Sequence, residues 1–247
     1  MSTNLLTQAM LKDLHYDIPN VCTQPIDTFE SIGRPTTVMV LFEHSDINAA
    51  VYHMSKTIED PESFRCGAIA TVLVEECIKE IFKKKLLNAL KTQKLADNNN
   101  ASFGEATENL KRLNANAINF NNDNGTIAIM VDDFSHEHVG SYVNGIITLH
   151  AFRTNKECIA LIKKESLEFT CATIWHENHS YAYELIAALT CKLFYINCFR
   201  INLSPLKSKP PASESYVTMD ERYHYETFVS NGVLKSTIFP IGSIFAN

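Results

Sequence analysis

The sequence lacks the marks of several large protein classes. None of its seven cysteines forms a C-x-x-C pair, so neither a structural zinc site nor a disulfide framework is indicated, and a reducing compartment is the simpler expectation. It contains no glycine-rich phosphate-binding turn and no G-x-S-x-G nucleophile motif. No apolar run approaches the roughly 20 residues that a transmembrane helix needs. Dinucleotide binding within the chain, serine hydrolysis and membrane insertion are therefore not predicted.

Positive charge is also scarce. The chain has 22 lysines and arginines against 28 aspartates and glutamates, a formal net charge of −6. Because nucleic-acid binding requires a basic surface, a nucleic-acid partner is not expected. The first 17 residues carry no basic flank before their short apolar stretch, which is unlike a signal peptide. These features favour a cytoplasmic protein without a membrane partner.

What the sequence does contain is a regular alternation of buried strands and amphipathic helices. The 247 residues are 45% hydrophobic, enough for a sizeable core. Short apolar runs predict strands at 38–42, 68–74, 127–131, 146–152, 169–175 and 193–198. Helices are predicted between most of them; the helix after 68–74 should turn Ile78, Ile81, Phe82, Leu86 and Leu90 inward. The predicted fold class is α/β: a three-layer, mostly parallel sheet covered on both faces.

The end of the chain has a different pattern. Residues 202–222 are rich in proline, serine and lysine and predict a loop. Tyr225 to Pro240 predicts a late extended strand at the edge of the sheet, open to pairing with another subunit.

Several stretches, in order, resemble the catalytic domain of aldehyde dehydrogenases. They are FESIGRPTTVMVLFEHSDINAAV from Phe29, RCGAIATVLVEECIKEIFKKKL from Arg65, HEHVG from His136, TCATIWHENHSYAYELIAALTCKLFYINCF from Thr170, and YHYETFVSNGVLKSTIFP from Tyr223. The resemblance covers roughly residues 20 to 240. It implies the fold of that catalytic domain and a final strand used in oligomerisation.

The resemblance also implies roles for four residues. Cys66 takes the place of the catalytic cysteine, and Glu30, which lies 36 residues before it, takes the place of the general base. Glu137 takes the place of the glutamate that holds the nicotinamide ribose. Asn197 takes the place of the asparagine that supports the substrate mouth. In such chemistry a thiolate attacks the aldehyde, a hydride leaves to the nicotinamide, and the glutamate activates water.

The sequence departs from the family pattern at several points. The N-terminal dinucleotide-binding domain of the family has no counterpart beyond a possible last helix at 5–14. Phe64-Arg65 replaces the Gly-Gln before the cysteine, and Val139 and Ser141 replace the Phe and Pro of the ribose loop. The chain alone is therefore expected to bind no cofactor, with NAD(P) involved only if the family activity survives.

Each residue also has an ordinary structural interpretation. Cys66 could be a small buried group at a strand entry, and Arg65 could instead lower the pKa of its thiol. Glu30 could be an exposed turn residue, Glu137 a solvated loop carboxylate, and Asn197 a turn residue after a strand. The pairs His136/His138 and His176/His179 complete no known metal spacing, so no metal site is predicted.

We therefore expect a remnant of the dinucleotide-domain end over residues 1–28, a catalytic-domain-like unit over 29–222 and an assembly strand over 223–247. The first hypothesis is an aldehyde dehydrogenase-like protein with impaired or absent oxidoreductase activity. It would act by forming a homo-oligomer, or a hetero-oligomer with a full-length aldehyde dehydrogenase. The alternative is an enzyme that uses Cys66, either for aldehyde oxidation with a nicotinamide domain supplied in trans or for ester hydrolysis. A truncated product of a longer gene is the third possibility.

Overall fold

A computed structural model describes residues 36–59, 68–91, 101–123, 125–140, 144–207 and 215–242. Within these ranges ten strands form one sheet. The strands are β1 (Thr36–Leu41), β2 (Ala68–Glu75), β3 (Ala117–Asn122), β4 (Gly125–Asp132), β5 (Ile146–Phe152), β6 (Cys171–Trp175), β7 (Leu193–Ile196), β8 (Tyr216–Met219), β9 (Tyr223–Ser230) and β10 (Val233–Pro240). The helices are α1 (Ile47–Glu59), α2 (Lys79–Leu90), α3 (Ala101–Arg112), α4 (Asn155–Lys164), α5 (His179–Ala188) and α6 (Ser204–Lys207).

The strand order is β3-β4-β5-β2-β1-β6-β7-β10-β9-β8. All neighbours from β4 to β10 in this order run parallel. Antiparallel strands close both ends, with β3 beside β4 and the pair β9 and β8 beyond β10. The prediction of a mostly parallel α/β sheet is thus confirmed.

Helices cover both faces of the sheet. Asp132 of β4 pairs in register with Leu149 of β5, so these two side chains point to the same face of the sheet. His150, which follows Leu149, points to the opposite face. Lys83 of α2 forms an ion pair with Asp132 (2.8 Å), whereas Glu165, just after α4, bonds to His150 (3.1 Å). Helix α1 packs beside α2, and α5 beside α4. The three predicted layers are therefore present.

Burial on both faces explains the continuous apolar runs. Every residue of β1 is buried, including both threonines that open it. In α2 the buried residues are Phe82, Leu86 and Leu90, spaced by four. Ile81 was predicted to face inward but is 47% exposed, because it lies a full 100° around the helix from Phe82.

The end of the chain differs from the prediction of one edge strand over 225–240. It forms a hairpin of β9 and β10, and Asn231 and Gly232 make the turn with positive φ of 53° and 74°. Strand β10 then inserts beside β7 and runs parallel to it. The edge is formed by β8, which lies within the 202–222 segment predicted to be a loop. Strand β8 was not predicted because its side chains alternate between half-buried and exposed, so it forms no continuous apolar run.

A buried lysine joins this hairpin to α5. Lys235 of β10 is only 1% exposed, and its Nζ donates to the carbonyl oxygens of Ile186 (2.5 Å) and Leu189 (2.8 Å). These carbonyls lie at the C-terminal end of α5, where intrahelical donors run out. Burial lowers the pKa of Lys235, and the hydrogen bonds satisfy the amine that burial has removed from water.

Candidate functional site

The sheet has a point of divergence between β1 and β6. These two strands lie side by side and run parallel. The chain leaves β1 through α1 toward β2 on one side, and leaves β6 through α5 toward β7 on the other. In open α/β sheets this arrangement leaves a crevice outside the carboxyl ends of the strands, where ligands commonly bind.

A pocket of about 470 Å³ occupies this place, and we call it the switch-point pocket. Its size is within the range of small-molecule sites, roughly 300–1,000 Å³. The loops after β1, β6 and β7 and the start of α1 supply its lining, which consists of His44, Ser45, Asp46, Ala49, Trp175, Glu177 and Asn197. The Glu177 amide donates to the His44 carbonyl (2.9 Å), so two of these loops are tied together.

Asn197, predicted to support a substrate mouth, lies in this lining. Its backbone has a φ of 52°, a conformation that asparagine tolerates better than most residues. Its Nδ2 donates to the His176 carbonyl (2.8 Å), and its Oδ1 accepts from the His176 amide (2.9 Å). The amide therefore fixes the loop after β6 against the end of β7. Its predicted part in substrate binding stays a prediction.

His176 forms one wall of an aromatic cluster beside the pocket. Its Nδ1 accepts a hydrogen bond from the Asn178 amide (2.7 Å), and its ring stacks on Tyr181 with centroids 4.4 Å apart. Burial lowers the pKa of His176, and the nearby His44 lowers it further. The acceptor role of Nδ1 requires a ring that is not doubly protonated, so geometry and electrostatics both favour the neutral form.

Two buried polar atoms of the lining residues have no hydrogen-bond partner among the described residues. They are the Nε1 of Trp175, a side chain only 1% exposed, and the Oγ of Ser45. A buried polar group left without a hydrogen bond costs about 1–3 kcal/mol. The ring of His53 lies against that of Trp175, with centroids 5.5 Å apart. Burial and Arg200 lower the pKa of His53 to about 4, so its imidazole is neutral at neutral pH.

Beside β2, three potential metal ligands lie close together. Ligand atoms of Glu43, Glu75 and Cys77 lie within 4.8 Å of one another. Burial and the two carboxylates raise the pKa of the Cys77 thiol, which keeps it protonated at neutral pH. Within the described ranges, neither the pair His136/His138 nor the pair His176/His179 belongs to a group of three such ligands.

The predicted catalytic pair, Cys66 and Glu30, lies outside the described residues. The strands that follow them, β2 and β1, are neighbours, and Thr36 pairs with Ala68 at their first residues. The assignment of a nucleophile and a base to these two residues stays a prediction.

The described cysteines are poor nucleophiles. Cys158, Cys171, Cys191 and Cys198 are buried, and burial raises the pKa of every one of their thiols, that of Cys191 to about 12. The pKa of the Cys77 thiol is also raised, so each of these five thiols is protonated at neutral pH.

Glu137, the predicted cofactor residue, lies on a one-turn 3-10 helix over His136–His138. Its side chain is 62% exposed and pairs with His138 (3.2 Å). The structure shows no further partner for it within the described ranges, and its role toward a cofactor stays a prediction.

The neighbouring His136 is fully buried, which the polar sequence of this loop did not indicate. Its Nε2 lies 2.8 Å from the carbonyl oxygen of Ala70. Ala70 is skipped in the pairing of β2 with β1, and such a bulge frees a backbone group for another partner. Glu165 accepts from the His136 amide (3.1 Å) and from Ser135 (3.2 Å). The role of Glu165 was not predicted from the sequence, because it lies about 30 residues after the Ser135–His136 loop that it contacts.

A family model described as "Protein of unknown function (DUF1487)" matches residues 33–245. The chain belongs to this family. A search among curated proteins gives no match. Within the described part of the chain, none of the helices combines the length and apolar composition that a membrane crossing needs.

Solved structures similar to this DUF1487 protein include aldehyde dehydrogenases. An NAD-dependent aldehyde dehydrogenase from Sinorhizobium meliloti has a TM-score of 0.57 at 15% identity, over 66% of this chain and 37% of that one. A betaine aldehyde dehydrogenase from Staphylococcus aureus has 0.56 at 18%, over 66% and 37%. An NAD-dependent benzaldehyde dehydrogenase from Corynebacterium glutamicum has 0.55 at 14%, over 70% and 42%. At these identities the likeness shows the fold alone, and the chain spans less than half the length of these enzymes.

Proposed function

We propose that this DUF1487 protein is an aldehyde dehydrogenase-like protein that does not oxidise aldehydes by itself and acts by pairing with another subunit. The observation that carries this proposal is β8, the outermost strand of the sheet in the described part of the chain. Val217 and Met219 on this strand are 57% and 63% exposed. An edge strand turns unpaired backbone groups outward, and natural proteins usually protect it with charge rather than with apolar side chains.

Other features support the proposal. The sequence contains no glycine-rich phosphate-binding turn, and the described cysteines have raised pKa values. Val217 and Met219 pair in register with Glu226 and His224 of β9. These two polar side chains bond to each other (3.1 Å). The partner is a second copy of the chain or a full-length aldehyde dehydrogenase.

The test changes the edge and measures assembly. We expect the purified protein to sediment as a dimer, or to form a mixed oligomer with an added full-length aldehyde dehydrogenase. Val217→Lys with Met219→Lys should weaken this association at least about tenfold, because two buried apolar contacts are lost. The control is Ile81→Lys, an equally apolar exposed residue on α2. A protein that stays monomeric with and without the dehydrogenase would contradict the proposal.

An enzymatic role for Cys66 is the second candidate. It is favoured by the side-by-side start of β1 and β2, because Glu30 and Cys66 precede these two strands in the chain. We expect ester hydrolysis without NAD, abolished by Cys66→Ser and unchanged by Cys77→Ser, if this candidate holds. Saturable binding of NAD by the isolated chain together with steady NADH production would instead support full dehydrogenase activity and contradict the first proposal.

A further inference from the structure

Strand β8 lacks the features that usually protect the edge of a sheet against pairing. Its residues, Tyr216–Met219, include no charged residue and no proline. Its ladder with β9 is regular, whereas the strand at the opposite end of the described sheet, β3, has a register shift between Phe120 and Asn121. Because such an irregularity twists an edge away from a partner strand, β8 is the better of the two edges for adding a strand.

The backbone of β8 directs two residues outward. The Asp220 amide donates to the Tyr223 carbonyl (3.0 Å), so these residues form a hydrogen-bonded pair at the turn between β8 and β9. Bonded and non-bonded pairs alternate along an antiparallel ladder, so Thr218 bonds to β9. Val217 and Met219 therefore direct their N–H and C=O groups away from β9. Within the described ranges no strand lies beyond β8 to pair with them.

The same two residues carry the exposed apolar side chains of this edge. Val217 and Met219 point to one face of the sheet, because they are two positions apart in a strand. The acidic residue that follows them, Asp220, is turned back into the protein. Its Oδ1 accepts from two amides of the β8–β9 turn, and its Oδ2 accepts from the Tyr225 hydroxyl (2.7 Å). The edge thus combines apolar side chains with unpaired backbone groups.

We propose that the partner at this edge is a second copy of the chain, whose β8 adds antiparallel to β8 about a two-fold axis at Thr218. This inference rests on the proposed function, because it names the partner of the same edge. In this register Val217 pairs with the partner's Met219, and Met219 pairs with the partner's Val217. Both pairs have outward backbone groups, so each exchanges both of its N–H···O bonds. The apolar side chains of the two copies then meet on one face of a continuous sheet.

The edge favours a second copy over a different protein because it is self-complementary. An apolar residue flanks Thr218 on either side, so the pattern reads the same in both directions and suits an interface that uses one patch twice. No charge of β8 would face its own copy across the axis. The strand is short and buries less surface than a standard interface, so the dimer should dissociate on dilution.

Site-specific crosslinking tests both the partner and the register. Thr218 and the partner's Thr218 form the non-hydrogen-bonded pair on the axis, where Cα atoms are about 4.5 Å apart, a distance that a disulfide spans. Val217→Cys is the matched control, because residues 217 of the two copies would lie about 8 Å apart. Under oxidation with copper–phenanthroline, we expect at least about tenfold more covalent dimer from Thr218→Cys than from Val217→Cys or the wild type.

A mixed sample checks the register independently. Val217→Cys and Met219→Cys, oxidised together in equal amounts, should form a covalent heterodimer, although neither should form a covalent dimer alone. The wild type reports any crosslink through the native cysteines, and peptide mapping identifies the linked positions. Sedimentation at several protein concentrations shows whether the reduced variants still associate.

The outcomes separate this inference from the proposed function. Dimers of the wild type without the crosslink at position 218 and without the mixed crosslink would overturn the pairing at Thr218, while association of subunits would stand. Assembly only with an added full-length aldehyde dehydrogenase would overturn the second copy as partner and again leave association standing. A protein that stays monomeric under both conditions would overturn both.

Discussion

At the scale of single residues, the Glu165 carboxylate ties together segments that are distant in the chain. Its two oxygens accept hydrogen bonds from Ser135, the His136 amide and His150. Burial alone would raise the pKa of Glu165, but the bonds from His150 and His136 outweigh it, and the pKa lies below its usual value. The 3-10 turn that carries Glu137 is thereby held to the end of α4.

This arrangement predicts a pH-dependent loss of stability in Glu165→Gln. Because the folded-state pKa is depressed, the ionised carboxylate stabilises the fold above the unfolded value of about 4.3, and this contribution disappears as pH falls through the folded-state pKa. We expect the variant to lose about 1–3 kcal/mol near pH 7, since the amide cannot replace all three bonds. Urea unfolding at several pH values measures the difference.

The difference from wild type should shrink once the pH falls below about 4.3. Glu105→Gln, an exposed carboxylate on α3, serves as the control and should match the wild type throughout. If the deficit of Glu165→Gln is the same at every pH, the carboxylate is not the stabilising species.

At the scale of elements, two glycines differ in whether their backbone conformation requires glycine. Gly232 sits in the β9–β10 turn with a φ of 74°, whereas Gly104 is the fourth residue of α3. An added Cβ would meet no heavy atom within 4 Å at either position, so backbone conformation alone separates the two.

Substitution of each glycine by alanine should therefore change stability in opposite directions. Gly232→Ala should destabilise by about 1–2 kcal/mol, because alanine is strained in the left-handed region. Gly104→Ala should stabilise by up to about 1 kcal/mol, because glycine is a poor residue inside a helix. Chemical denaturation of both variants measures the pair. Stabilisation of both variants would show that the turn does not require glycine, and destabilisation of both would contradict the prediction for α3.

The elements also show what sequence could predict. The strands buried on both faces, such as β1 and β6, were recognisable as apolar runs. Strands β3 and β8 were missed because each lies at an end of the sheet and carries polar or alternating side chains.

At the scale of the whole molecule, the strand order could not be predicted from local sequence patterns. The switch-point pocket exists because β6 follows β5 in the chain but lies beside β1. Trp175 and Ser45 are far apart in sequence, and no local pattern relates them. The contact of His136 with the β2 bulge depends on long-range pairing in the same way. Asn197 was found by resemblance, yet its bond to the His176 backbone became visible only in the folded chain.

The insertion of β10 beside β7 has a consequence for synthesis. On the ribosome β7 is synthesised well before β10. Until the hairpin is made, the edge of β7 that pairs with β10 and the carbonyls at the end of α5 that bond to Lys235 are without these partners. During that interval the nascent chain exposes a hydrogen-bonding edge in the middle of its future sheet. Translation speed through the segment between these two strands, and chaperones that shield it, should therefore govern how much of the protein reaches its native state.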